Sequence, residues 1–104
     1  MSLDFYLERV QPTTVYDGNY THNATPMWKL AGVYDALYMS EGKTASEVMG
    51  ELTEGYIKIM KNPDAFKRLN PSNGWGSYDT VIVFLKEVID ACREFPDAII
   101  RISK

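Results

Sequence analysis

Leu3-Asp4-Phe5-Tyr6-Leu7-Glu8 near one end of the chain and Ala98-Ile99-Ile100-Arg101-Ile102-Ser103 near the other decide the fold. In the first, Leu3, Phe5 and Leu7 alternate with Asp4, Tyr6 and Glu8. In the second, Ala98, Ile100 and Ile102 alternate with Ile99, Arg101 and Ser103. A period of two is that of a strand with one face buried. The first strand is expected to end near Val10, because Pro12 lacks the N–H a ladder needs. Everything between the two strands is mostly helical in pattern. The simplest architecture is α+β: the N- and C-terminal strands pair in a small sheet covered by about four helices, all within one domain spanning residues 1–104.

Working inward, Thr13-Thr14-Val15-Tyr16 has the β-branched and aromatic residues of a second strand, and Asp17-Gly18 carries a turn signal. Met27, Leu30, Ala31, Tyr34, Leu37 and Tyr38 then share one face of a helix. Pro26 suits its first turn, and Thr25 or Asn23 can cap it. Trp28 lies off that face. Thr44-Ala45-Ser46-Glu47 has the spacing of a capping box. It opens a helix to about Met60 with Ala45, Val48, Met49, Leu52, Tyr56 and Ile59 inward. Gly50 and Gly55 weaken that helix, so close packing against a neighbour is expected at both. Asn62-Pro63 starts a short helix to about Leu69. Ser77 can cap a last one, on which Tyr78, Val81, Ile82, Leu85, Val88, Ile89, Cys92 and Phe95 cover a wide face before Pro96 stops it.

Bulk properties exclude several function classes. Of 104 residues, 45% are apolar and 24% charged, as in ordinary globular proteins. The net charge of −3, with Lys and Arg scattered singly, argues against binding to nucleic acid. No apolar run nears the ~20 residues of a membrane span, and no basic segment precedes an apolar stretch at the start, so neither membrane association nor a signal peptide is expected. A single cysteine, Cys92, makes no intrachain disulfide, and a cytoplasmic setting is the default. One His and one Cys do not build a typical zinc site, and no cofactor motif occurs.

Two polar stretches remain as candidate sites. Asn19-Tyr20-Thr21-His22-Asn23 gathers two amides, a phenol, a hydroxyl and the only imidazole at a strand-to-helix junction. Asn70-Pro71-Ser72-Asn73-Gly74-Trp75-Gly76-Ser77-Tyr78 holds a Trp between two glycines. That Trp either folds inward as a plug, as the average burial of Trp favours, or stands as a stacking surface. Both stretches also read as plain structure, since Asn23 and Thr25 can serve only as caps and His22 can simply tie the loop to a carbonyl. Both precede helices, whose free N–H groups attract anions.

The leading expectation is a non-enzymatic domain that binds a small polar or anionic molecule through Asn19, Tyr20, His22, Asn23, Asn73, Trp75 and Tyr78. A second is a protein–protein module or homodimer using Trp28 with Val33, Ile57 and Val83, apolar residues off the main helical faces. A third is a weak acid/base enzyme with His22 oriented by Asp17 or Asp79. No nucleophile elbow or metal partner supports it, and Asp79 with Glu87 or Asp17 with Asp35 reads mainly as surface charge.

These motifs carry a resemblance. Asn19–Asn23, then Met27 and Ala31-Gly32-Val33-Tyr34-Asp35-Ala36-Leu37, then Asn70–Tyr78 and Pro96-Asp97-Ala98 make the chain similar to a group of small proteins of phage genomes and bacterial chromosomes. That group shares the NYTHN and NPxNGWGxY motifs and has no assigned activity. The resemblance covers most of the chain after residue 18. It implies a shared fold and a phage or bacterial setting.

Overall fold

A computed structural model describes residues 2–9 and 13–104. The order is β1 (Ser2–Glu8), β2 (Thr14–Thr21), a short 3-10 turn (His22–Ala24), α1 (Thr25–Ala31), α2 (Tyr34–Tyr38), α3 (Ala45–Lys61), α4 (Pro63–Lys67), α5 (Tyr78–Glu94) and β3 (Ile99–Ser103). The sheet is antiparallel in the order β2-β1-β3, so the N- and C-terminal strands pair and β1 is central. Leu3, Phe5 and Leu7 are fully buried on one face, with Ile100 beside Leu7, while Asp4, Tyr6 and Glu8 take the other. The fold is therefore α+β. The expected end of β1 at Val10 and the break at Gln11-Pro12 lie outside the described residues. Among the described residues, no helix is long and apolar enough to cross a membrane.

Two expectations give way. Asp17-Gly18 is no turn. β2 runs through it, with Gly18 opposite Phe5. Packing explains the glycine: the Tyr16 ring lies over it, and a Cβ there would sit 2.5 Å from the Tyr16 hydroxyl. The first helix is also not continuous. Gly32 adopts φ 79°, and the chain closes a Schellman motif in which Gly32 and Val33 donate to the carbonyls of Lys29 (3.2 Å) and Trp28 (3.0 Å). Five helices result where about four were expected. The break re-aims the apolar face: Trp28 and Val33 are fully buried and Leu30 is exposed.

The capping box of α3 forms, with the Glu47 carboxylate accepting from the Thr44 backbone N–H at 2.7 Å and from its hydroxyl at 3.0 Å. These bonds hold the Glu47 carboxyl below its ordinary range. Gly55 is buried because α1 crosses there: a Cβ would collide with Val33 and lie 3.1 Å from the Ala31 carbonyl. Gly50 differs from expectation, being exposed with nothing near it. α5 buries Tyr78, Val81, Phe84, Leu85, Val88, Ile89, Ala91 and Cys92. Burial pushes the Cys92 thiol up to about 11.

The two edges of the sheet are treated differently. On β3, Ile100 exchanges backbone bonds with the connection before α3: Gly42 donates to its carbonyl and its N–H donates to the Lys43 carbonyl, both at 2.8 Å. The Glu41 carboxylate takes the Ile102 N–H at 2.6 Å and the Arg101 guanidinium at 3.0 Å. β2 forms the opposite edge. Among the described residues, no backbone bond reaches its outer side.

Candidate functional site

The two polar stretches meet. Gly76 packs against the end of β2 so closely that a Cβ would lie 2.8 Å from the Thr21 methyl and 3.3 Å from the Ala24 nitrogen. Asn23 donates from its amide to the Asn73 side-chain oxygen at 3.4 Å. That oxygen also accepts the Trp75 backbone N–H at 3.0 Å, an Asx turn that shapes the loop from within. Gly74 and Gly76 take φ 77° and 85°, a region other residues enter at a cost. Trp75 is thereby held out at 69% exposure and is not a plug.

Between loop and strand lies a cleft of about 670 Å³. Tyr20 forms one wall. Its ring stacks on Phe84 with centroids 4.8 Å apart and meets Trp28 edge-on at 5.9 Å, while its hydroxyl shares a 2.6 Å hydrogen bond with Thr80. Burial raises the Tyr20 phenol above its ordinary range, and the Thr80 bond partly offsets this. Asn19 gives its amide hydrogens to Asp4 (2.7 Å) and Ser2 (3.0 Å), so toward a ligand it can offer only an acceptor. Ser2, Thr21, Asn23, Asn73, Gly74, Trp75, Gly76 and Thr80 complete the lining, and among the described residues no lining residue is charged.

Of the expected site residues, Asn19, Tyr20, Asn23, Asn73 and Trp75 line this cleft, whereas His22 and Tyr78 do not. His22 turns toward Tyr38, with rings 5.5 Å apart, and its Nε2 is buried without a hydrogen-bond partner. Asp17 and Asp79 therefore do not orient it through that nitrogen. Tyr78 is buried and donates its hydroxyl to the Ile59 carbonyl at 3.1 Å. The start of α5 is also less open to an anion than expected. Ser77 makes no side-chain cap. Asn70 reaches across the loop instead and accepts the Tyr78 N–H at 2.8 Å, with the acid Asp79 in the first turn.

Sequence reasoning missed Ser2 and Thr80. Ser2 enters through the strand register that places it opposite Thr21, which the alternation of β1 alone does not reveal. Thr80 enters through a bond to Tyr20 across sixty positions of sequence, for which no local signal exists. The interaction patch centred on Trp28 is corrected as well: Trp28 and Val33 are fully buried, and only Ile57 and Val83 of that set are exposed. Among the described residues, no group of three or more His, Cys, Asp or Glu comes together as a metal site.

No protein-family model, curated protein or solved structure matches this chain.

Proposed function

We propose that this protein is a binding domain for a small, polar, uncharged molecule with one flat face, a sugar ring being the simplest example, held in the cleft between β2 and the 70–76 loop. The observation that carries the proposal is Trp75. An indole costs free energy to leave in water, and this one is fixed in place there by two left-handed glycines and an Asx turn. Amides and hydroxyls surround it, from Asn23, Asn73, Thr21, Ser2 and Thr80. Such a set recognises hydroxyl or amide groups, while the indole stacks on a ring.

The charge pattern favours a neutral ligand over an anion. Among the described residues no cation lines the cleft, the α5 terminus is already capped by Asn70, and Asp4 stands behind Asn19. A lone buried cysteine and the resemblance to phage and bacterial proteins are consistent with a cytoplasmic setting in such a host.

The test is a thermal-shift and fluorescence titration with glucose, N-acetylglucosamine, adenosine and inorganic phosphate. A ligand at 100 times its Kd adds about 2.7 kcal/mol, a shift of several degrees at this size. A sugar or nucleoside should raise Tm and change the Trp75 emission, with both effects lost in Trp75→Ala and kept in His22→Ala. A response to phosphate alone, undiminished in Trp75→Ala, would overturn the proposal.

A further inference from the structure

We infer that the open edge of β2 pairs with β2 of a second copy, joining two three-stranded sheets into one of six strands around a two-fold axis at Gly18. The inference shares Asn19, Tyr20 and Thr21 with the cleft but does not rest on its ligand.

The first ground is the contrast between the edges. An unpaired strand edge is a template for another strand, and natural chains usually blunt or cover it. Here β3 is covered by the 41–44 connection and by the Glu41 carboxylate. On β2, eight residues long, the described residues provide no such cover.

The second ground names the occupant. Val15-Tyr16-Asp17-Gly18-Asn19-Tyr20-Thr21 is nearly symmetric about its centre. Outward from Gly18 on both sides come an Asp or Asn, then a Tyr, then a β-branched residue. An antiparallel pair formed by a two-fold axis at Gly18 sets Tyr16 opposite the second copy's Tyr20, Asp17 opposite Asn19 and Val15 opposite Thr21. Aromatic and β-branched pairs directly opposite one another stabilise antiparallel sheets. The strand's single acid, Asp17, meets an amide and not its own copy. A register centred on Asp17 would place two carboxylates face to face. A two-fold contact of this kind is self-complementary and closed, giving a dimer and not a fibre.

The third ground is Val83, 57% exposed on α5. Thr80 and Phe84 contact Tyr20, while Glu87 lies near enough to Tyr16 to disfavour ionisation of its phenol. Residues 80, 83, 84 and 87 share one helix face. Val83 therefore lies alongside the Tyr16–Tyr20 stretch of β2, nearer its Tyr20 end. Strand pairing places the exposed Val83 of each copy on the helical side of the seam.

The experiment is analytical ultracentrifugation of the full chain from micromolar to about 1 mM, with amide exchange at both ends of that range. Expected is a doubling of mass with concentration, accompanied by slower exchange on β2 and unchanged exchange on β3. Val83→Glu and Val83→Lys, each at an exposed helical position that leaves folding intact, should each weaken association about tenfold or more by setting like charges along the helical side of the seam. An equimolar mixture of the two variants should restore it. A monomer throughout the range would overturn the inference. So would a dimer indifferent to both Val83 variants, or one whose β2 amides gain no protection.

Discussion

Trp28 and Trp75 sit in two regions built on opposite plans. Trp28, on α1, is at the closed side, packed against Tyr20 and Phe84, in the same core as the α1–α3 crossing at Gly55 and the inner face of α5. Trp75 is at the open side, on a loop whose bonds serve to shape it and to hold it against β2. In the closed region a glycine is there because a neighbour needs its space. In the open region Gly74 has nothing within 4 Å and is there because the backbone needs its conformation. A large apolar side chain in the first stabilises the fold, whereas in the second it contributes little to folding and remains available to a ligand.

Removing Trp28 should break the closed region outright. Trp28→Ala deletes a fully buried indole and should cost about 3–5 kcal/mol, read as a fall in the urea midpoint. For a chain of this size that is a large part of total stability. A cost below about 1 kcal/mol would mean the closed side is loosely packed and the contrast is unfounded.

Next comes the alkaline limb. Cys92 lies in the closed region with its thiol pushed up to about 11 by burial. The folded chain thus keeps a proton that the unfolded chain gives up from about pH 9. Stability should be intact below pH 9 and fall as pH rises toward 11, by about 2 kcal/mol over that interval. Tyr16, pushed up to about 12 chiefly by burial, extends the decline. Urea midpoints for the wild type and Cys92→Ala across pH 8–10.5 should show a flatter decline in the variant. Equal slopes would show that Cys92 is not sealed.

The same division explains how much could be read in advance. The strands were legible because alternation in Leu3, Phe5, Leu7 and Ile100 reflects the faces of one sheet directly. So was the capping box at Thr44, whose partners are three positions apart. The break at Gly32 was not. The apolar spacing from Met27 to Tyr38 continues through it, and the left-handed Gly32 that ends α1 sets Val33 against Gly55, more than twenty positions away. Once α1 ended early, the face that had excluded Trp28 no longer existed. Gly18 was misread for a related reason: its missing side chain makes room for the Tyr16 ring and does not serve a turn. Of the residues singled out by their types, Asn19, Tyr20, Asn23, Asn73 and Trp75 line one cleft. The directions of His22 and Tyr78 depend on Tyr38 and the Ile59 carbonyl, which no local spacing reveals.

The two glycines of α3 sharpen the comparison within a single helix. Gly55→Ala should cost about 1–3 kcal/mol, because its Cβ meets Val33 and the Ala31 carbonyl. Shortening the neighbour as well, in Gly55→Ala with Val33→Ala, should cost less than the sum of the two single changes. Gly50→Ala faces open space and should add about 0.5–1 kcal/mol by restricting the unfolded chain. Chemical denaturation of the four variants checks all of this. If both glycine replacements moved stability in the same direction, packing at Gly55 would not be the reason for that residue.

Trp75→Ala should move stability least of all, within about 0.5 kcal/mol, as exposed substitutions generally do. Near-zero is the informative value. Gly74 and Gly76 each lose backbone freedom on folding, and the loop they shape holds an indole in water. If deleting that indole costs the fold nothing, folding is not what the arrangement serves, and the benefit has to come from something that binds there. If the loss instead reached about 2 kcal/mol, Trp75 would be packed against the rest of the chain in solution, the cleft would be closed, and the contrast between the two tryptophans would disappear.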